Sequence, residues 1–294
     1  MFNRVADGEV TILKYRCQRD SSSISVPSKI EGLPVTIIGN DAFIDCENLT
    51  SIALPDSLIE IGGYAFCKCS NLTSIVIPEG VRRISYGAFS QCLRLKEINL
   101  PASVIEIDPT AFEQCISLGV VRVDDLNPVY SDFNGVLMNK VSSSVMFFPA
   151  GWLFESISIP EGTKRIGQGA FSMSAIGFLF LPASLEVIEP YAFCNSQVDF
   201  ILTNNALSEI GEHAFAYSSL YGFVIPDGIT QIQPGVFSCC PNLELVFIPN
   251  SVTKIAEDAF KGSFKVKLQI NKDSYAEEFA KNHGIHYTYV DINP

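Results

Sequence analysis

An isoleucine followed five residues later by a phenylalanine recurs in register nine times in this chain. The pairs are Ile38/Phe43, Ile61/Phe66, Ile84/Phe89, Ile107/Phe112, Ile166/Phe171, Ile188/Phe193, Ile210/Phe215, Ile232/Phe237 and Ile255/Phe260. The phenylalanines are spaced 23, 23, 23, 59, 22, 22, 22 and 23 residues apart, a period that belongs to repeat architectures. An apolar residue follows each Phe by five or six positions, as at Leu49, Leu72, Leu95, Leu118, Ile176, Val198, Leu220 and Leu243. Next comes x-x-apolar-x-apolar-Pro, as in "LTSIVIP" and "LKEINLP"; strict alternation reads as a short strand with one buried face. Proline then ends the strand because it has no N–H for another ladder bond: Pro55, Pro78, Pro101, Pro160, Pro182, Pro226 and Pro249. The small residues between Ile and Leu, as in "GAFSQC", have the spacing of a helical or 3₁₀ turn.

One such unit cannot hide its own apolar side. Stacked at strand spacing, each coil adds several large side chains to a continuous core, at roughly 1.5–3 kcal/mol apiece before ordering entropy. Each copy is therefore the next copy's wall.

The pattern I-G-x-x-A-F-x-x-C-x-x-L-x-x-I-x-I-P, as in "IGGYAFCKCSNLTSIVIP", resembles the BspA-like leucine-rich repeats, the bacterial surface-antigen type, over about residues 20–270. The start, "ISVPSKIEGLPVTIIG", is similar to an incomplete first coil using Ile24, Val26 and Pro27. The end, "SYAEEFAKNHGIHYTYVD", is similar to the helix and final strand that close such arrays. The expected fold is an α/β repeat solenoid: a right-handed leucine-rich-repeat solenoid with a parallel β-sheet, about ten coils, one β-hairpin insertion and a C-terminal helix/strand cap. Its parts are an N-terminal cap with the incomplete coil (1–37), a first repeat block (38–123), an insertion (124–153), a second block (154–270) and a closing cap (271–294), all in one continuous domain. Within the insertion, "SDFNGVLMNKVSSSVMFFPAGW" carries the turn-prone Asn134-Gly135 and two apolar stretches about "KVSSS", and reads as a hairpin. It either buttresses the stack or protrudes as a contact element.

A net charge of −12 argues against nucleic acid or an anionic membrane as partner. No apolar run approaches the roughly 20 residues that cross a bilayer, so no membrane insertion is expected. The start, "MFNRVADGEVTILKY", does not read as a signal peptide. As written the expectation is a cytoplasmic protein, or a surface or secreted one if an export signal has been removed.

Nine cysteines raise the question of metal or redox chemistry. Cys46, Cys69, Cys92, Cys115 and Cys240 lie three residues after a repeat Phe, where other coils place Ser174, Ser196, Ser218 and Ser263. The position asks for a small residue, which a buried free thiol satisfies. A column of ligands one strand apart does not converge on zinc, and Cys67-x-Cys69 and Cys239-Cys240 lack a second ligand pair. Structural thiols are the reading, with disulfides between coils or a metal as alternatives; the odd count leans toward a reducing compartment. His213, His283 and His286 form no local motif with a nucleophile or acid, and no phosphate-binding or zinc-protease motif occurs. No catalytic residue, cofactor site or metal site is assigned, and an enzyme is not expected.

Strand positions between the buried ones should stack into two outward columns. The first runs Ser51, Ser74, Glu97, Val120, Ser156, Phe178, Phe200, Gly222, Leu245; the second runs Ala53, Val76, Asn99, Arg122, Ser158, Phe180, Leu202, Val224, Phe247. Both are small or polar up to Ser158 and become apolar from Phe178 onward. The candidate protein-binding residues are Phe178, Phe180, Phe200, Leu202, Tyr221, Val224, Leu245 and Phe247, since such a patch exceeds what monomers usually expose. The alternatives are that the hairpin covers this face, or that register slips where the spacing shortens to 22. Asp56, Glu79, Glu161 and Asp227 would line one edge as a solvated rim. The resemblance implies a non-enzymatic protein-interaction scaffold, with surface adhesins contacting host or matrix proteins among its relatives. The alternative is a structural protein that forms a homodimer through the apolar face.

Overall fold

The computed structural model describes residues 1–17, 22–203 and 206–290. The last four residues of the expected closing cap lie outside the described residues. The fold is a parallel-stranded leucine-rich-repeat solenoid with one α-helix, Tyr275–His283, near its C-terminal end. It divides into two compact units, Met1–Val141 with Phe147–Trp152, and Ser142–Met146 with the chain from Leu153 onward.

In the first unit the strands Ser23–Ser25, Ser51–Ala53 and Ser74–Ile75 pair in parallel, and the bridge Val76↔Asn99 leads to Glu97–Leu100 and Val120–Val123. In the second unit the same column comprises Ser156–Ser158, Phe178–Phe180, Phe200–Leu202, Gly222–Val224, Leu245–Ile248, Lys267–Ile270 and His286–Tyr289. The column has five short strands in the first unit and seven in the second; setting aside Ser23–Ser25 of the incomplete coil and His286–Tyr289 of the closing cap leaves the ten coils expected.

The repeat Ile, to which the repeat pattern assigns no element, is itself in a strand. Leu33–Ile38, Glu60–Ile61, Arg83–Ile84 and Glu106–Ile107 form a second parallel column in the first unit. Val187–Ile188 and Glu209–Ile210 continue from Arg165–Ile166 in the second. Most of these strands are only two residues long, too short to show alternation.

The segment after the Ile is not helical. Ala65, Cys67 and Cys69 donate N–H bonds three residues back, to Gly62 (3.2 Å), Tyr64 (3.0 Å) and Phe66 (3.1 Å). The residues between them donate to the next coil: Tyr64 to Tyr86 O, Phe66 to Ala88 O and Lys68 to Ser90 O, at 2.8–2.9 Å. Alternate amides thus hold the turn and the stack. This geometry places a residue at positive φ two positions after every repeat Phe: Asp45, Lys68, Gln91, Gln114, Met173, Asn195, Tyr217, Cys239 and Gly262. Only Gly262 is a glycine; a Cβ there would meet the Cys239 sulfur at 2.9 Å.

The repeat phenylalanines are the spine of each core. Phe43, Phe66, Phe89 and Phe112 stack with ring centroids 5.2, 5.4 and 5.8 Å apart. Phe171, Phe193, Phe215, Phe237 and Phe260 stack at 4.9–5.5 Å. The incomplete first coil is fuller than expected: Ile12 pairs with Ile38, and Tyr15 stacks on Phe43 at 5.4 Å in place of a preceding Phe.

The insertion contains an antiparallel hairpin, Tyr130–Phe133 with Val136–Asn139, closed by Asn134 (φ 52°) and Gly135 (φ 90°). It lies along the end of the first unit. Val121 N–H donates to Gly135 O and Val123 N–H to Asp132 Oδ1, each at 2.9 Å, while the Tyr130 hydroxyl accepts from Ile107 N–H at 2.9 Å. The hairpin therefore satisfies amides that a further coil would otherwise have taken.

Candidate protein-binding face

The short strands of the second unit alternate so that Leu179, Ile201, Phe223 and Val246 are buried, which turns their neighbours outward. Ser156 pairs with Phe178, Phe178 with Phe200, Phe200 with Gly222, and Gly222 with Leu245. Ser158, Phe180 and Leu202 align next to them, as do Val224 and Phe247. Phe178 is 47% exposed, Phe200 44%, Leu202 61% and Val224 59%. Phe180, Tyr221 and Leu245 are exposed too, and Phe247 is half-buried.

The aromatic rings support one another. Phe178 stacks on Phe200 at 5.5 Å and Phe200 on Tyr221 at 5.6 Å, so Tyr221 fills the gap that Gly222 leaves in the row. The apolar stretch ends at the Ser156 and Ser158 strand on one side and at Lys267 and Gln269 on the other. In the first unit the corresponding columns are mostly polar; Ser51 donates to Ser23 Oγ at 3.0 Å, and Asn99 lies beside Arg122.

Besides Asp227, three carboxylates that the proline-turn pattern does not single out line the opposite rim of this face. Glu155, Asp199 and Glu244 precede the first outward column, and main-chain bonds align Asp199, Tyr221 and Glu244 from coil to coil. They were legible as the residue immediately before each outward pair.

The cysteine column is built for packing. Cys69, Cys92, Cys115 and Cys240 donate S–H bonds to the carbonyls of Phe43, Phe66, Phe89 and Phe215 in the preceding coil, at 3.0–3.2 Å. Ser263 makes the same bond to Phe237 O at 2.6 Å. Burial pushes the Cys69 and Cys115 thiols up to about 12, leaving them protonated and unreactive at neutral pH. Cys46 departs from the free-thiol reading. It is disulfide-bonded to Cys17, which lies two residues after Tyr15 with its Cα 5.4 Å from that of Cys46. No preceding Phe carbonyl is available to Cys46, and Cys17 lies outside the repeat that drew attention to the others.

Among the described residues no group of three or more His, Cys, Asp or Glu could hold a metal ion. His213 stacks on Tyr191 at 5.2 Å and His283 on Phe279 at 4.1 Å, while His286 stands exposed on the last strand. No helix among the described residues is long and apolar enough to cross a membrane.

The BspA type leucine-rich repeat region matches residues 15–130 and 146–267 in six copies. A leucine-rich cell surface protein from Faecalibacterium prausnitzii is 26% identical, with 93% of each chain covered and a TM-score of 0.62. A leucine-rich repeat protein from Eubacterium ventriosum is 18% identical over 90% of this chain and 82% of that one, with a TM-score of 0.70. The pneumococcal vaccine antigen PcpA is 18% identical over 98% and 96%, with a TM-score of 0.69; these last two bear on the fold alone. A comparison with curated proteins returns no match. With the repeat's spacing, its stacked phenylalanines and its profile agreeing over most of the chain, the protein belongs to the BspA-type leucine-rich-repeat family.

Proposed function

We propose that this protein is a non-enzymatic protein-interaction scaffold, acting at the cell surface on host or matrix proteins through the outward strand face of its second unit. The observation that carries the reading is the exposed row Phe178, Phe180, Phe200, Leu202, Tyr221, Val224, Leu245 and Phe247, which excludes little water in a single copy. Likeness to a cell surface protein and the Cys17–Cys46 disulfide both favour an oxidising exterior.

The test is the double variant Phe180→Ser/Phe247→Ser. Its thermal stability should stay within about 0.5 kcal/mol of the parent, as for surface positions. Binding to immobilised purified matrix proteins should be lost. A large drop in melting temperature would place these rings in the core and sink the reading.

A second reading, self-association through the same face, is favoured by the continuous Phe178–Phe200–Tyr221 stack, a ready-made flat surface for another copy. Light scattering after size exclusion, run over a dilution series on parent and double variant, separates the two.

A further inference from the structure

The apolar face has a charge pattern that constrains what can cover it. Glu155, Asp199 and Glu244 lie along one rim and Glu161 and Asp227 along the other. From Leu153 to Glu161, and in the corresponding stretches 177–183, 221–228 and 244–250, there is no Lys or Arg. Lys164, Arg165, Lys254 and Lys261 lie outside these stretches, and in this unit's outward strand column itself positive charge first appears at Lys267, past the last apolar strand.

Three carboxylates of the same unit are paired within it. Glu186 pairs with Lys164 at 3.1 Å, Glu189 with Arg165 at 2.8 Å, and Glu277 with Lys281 at 2.6 Å, all away from the face. Glu161 accepts from Ala183 N–H at 2.9 Å, which fixes a turn. Glu155, Asp199, Asp227 and Glu244 enter no ion pair among the described residues. Glu209, Glu212 and Glu257, on other strands and turns of the unit, enter no ion pair among the described residues either, so what sets the rim apart is that its carboxylates flank exposed aromatic rings with no Lys or Arg in the same stretches.

We infer that the occupant of this face is a cationic protein segment, with Leu- or Phe-type side chains packing on Phe178, Phe200 and Val224 and flanking Lys or Arg residues meeting Asp199, Asp227 and Glu244. The inference rests on the binding-face reading above and specifies its partner's chemistry. A second copy of this chain would bring the same unpaired carboxylates into one interface from both sides, and like charges brought together there are unfavourable. An acidic partner fails for the same reason. Lys267, at the far end of the first column, gives the occupant a polarity: its basic flanks belong over the coils of Asp199 to Glu244, and an acidic or neutral end over Lys267.

The experiment uses fluorescence anisotropy of three labelled peptides with the full chain. One alternates Leu and Phe with Lys, one replaces each Lys by Glu, and one replaces each Leu and Phe by Ser while keeping Lys. The variants are Asp199→Asn/Asp227→Asn/Glu244→Gln on the face, Phe180→Ser/Phe247→Ser within it, and Asp56→Asn/Glu79→Gln on the first unit as an off-face control. Each is checked for an unchanged melt.

The first peptide should bind most tightly, weaken about tenfold or more in the face-charge variant, and be unaffected by the control. Its affinity should fall as salt shortens the screening length below about 10 Å. Equal binding of the Lys and Glu peptides, both lost in the Phe variant, would keep the binding face and overturn the cationic partner. Equal weakening in the control variant would reduce the effect to overall charge and overturn the inference. A concentration-dependent dimer abolished in the Phe variant, with no peptide bound, would make the occupant a second copy and overturn it as well. No peptide binding and no dimer would overturn both.

Discussion

At the residue scale, the turn after each repeat Phe asks a side chain to accept a backbone that favours glycine. Eight of the nine positions carry Asp, Lys, Gln, Gln, Met, Asn, Tyr or Cys at φ near 60°, and none is β-branched. A left-handed L-residue costs roughly 1–2 kcal/mol, offset in part because glycine loses more backbone freedom on folding. Gln114 is exposed and its φ is 59°, so relieving it is the clean test. Gln114→Gly should stabilise the protein by about 0.5–1 kcal/mol in denaturant titration, where Gln→Gly on an ordinary exposed strand would destabilise it. The sequence announces the Phe and the small residue after it, because both are buried and repeat in kind. The left-handed residue between them repeats only in conformation, so its identity varies and it stayed invisible.

At the scale of the element, side chains close the last coil of each unit. Asn127 is fully buried; its Nδ2 donates to Pro101 O and Val104 O, and its Oδ1 accepts from Val129 and Tyr130 N–H, at 2.8–3.0 Å. Asn127→Ala leaves these groups without partners and should cost about 3 kcal/mol, read by chemical denaturation. In the second unit, Ser274 caps the helix by accepting from Glu277 N–H at 3.2 Å, and Glu277 accepts in return from Asp273 N–H at 2.7 Å. Lys281 and the Tyr289 hydroxyl also donate to Glu277, and together these bonds hold its carboxyl near 2 against an ordinary 4.5. A carboxylate with a lowered folded pKa stabilises above its unfolded value and loses that contribution as pH falls through the folded one. Melting temperatures of the parent and Glu277→Gln should therefore differ at neutral pH and converge as pH drops from about 4.5 toward 2. Outward columns such as Phe178 to Leu245 were legible because strands of three or four residues alternate and most are followed by proline. The Ile column was not, since two residues carry no period, and the hairpin's role in closing an edge depends on Tyr130 and Asp132 meeting amides far away in sequence.

For the whole molecule, the Cys17–Cys46 bond spans 29 residues and ties the leading strands to the first full coil. Closing a loop of that length is worth about 3–4 kcal/mol through the unfolded chain. Reductant, or Cys17→Ser, should lower the melting temperature of the first unit, while the second, whose cysteines are free, should melt unchanged in calorimetry. The division of amide bonds, half within a turn and half to the next coil, has a mechanical meaning as well. Pulled along its coils in an optical trap, the second unit should lengthen in discrete steps, each releasing the 22 or 23 residues of one repeat. At about 3.3–3.6 Å per extended residue, each step is roughly 70–80 Å. In the first unit, the 29-residue span behind the disulfide should yield no length until the bond is reduced, so the oxidised chain has a shorter reach under load than the reduced one.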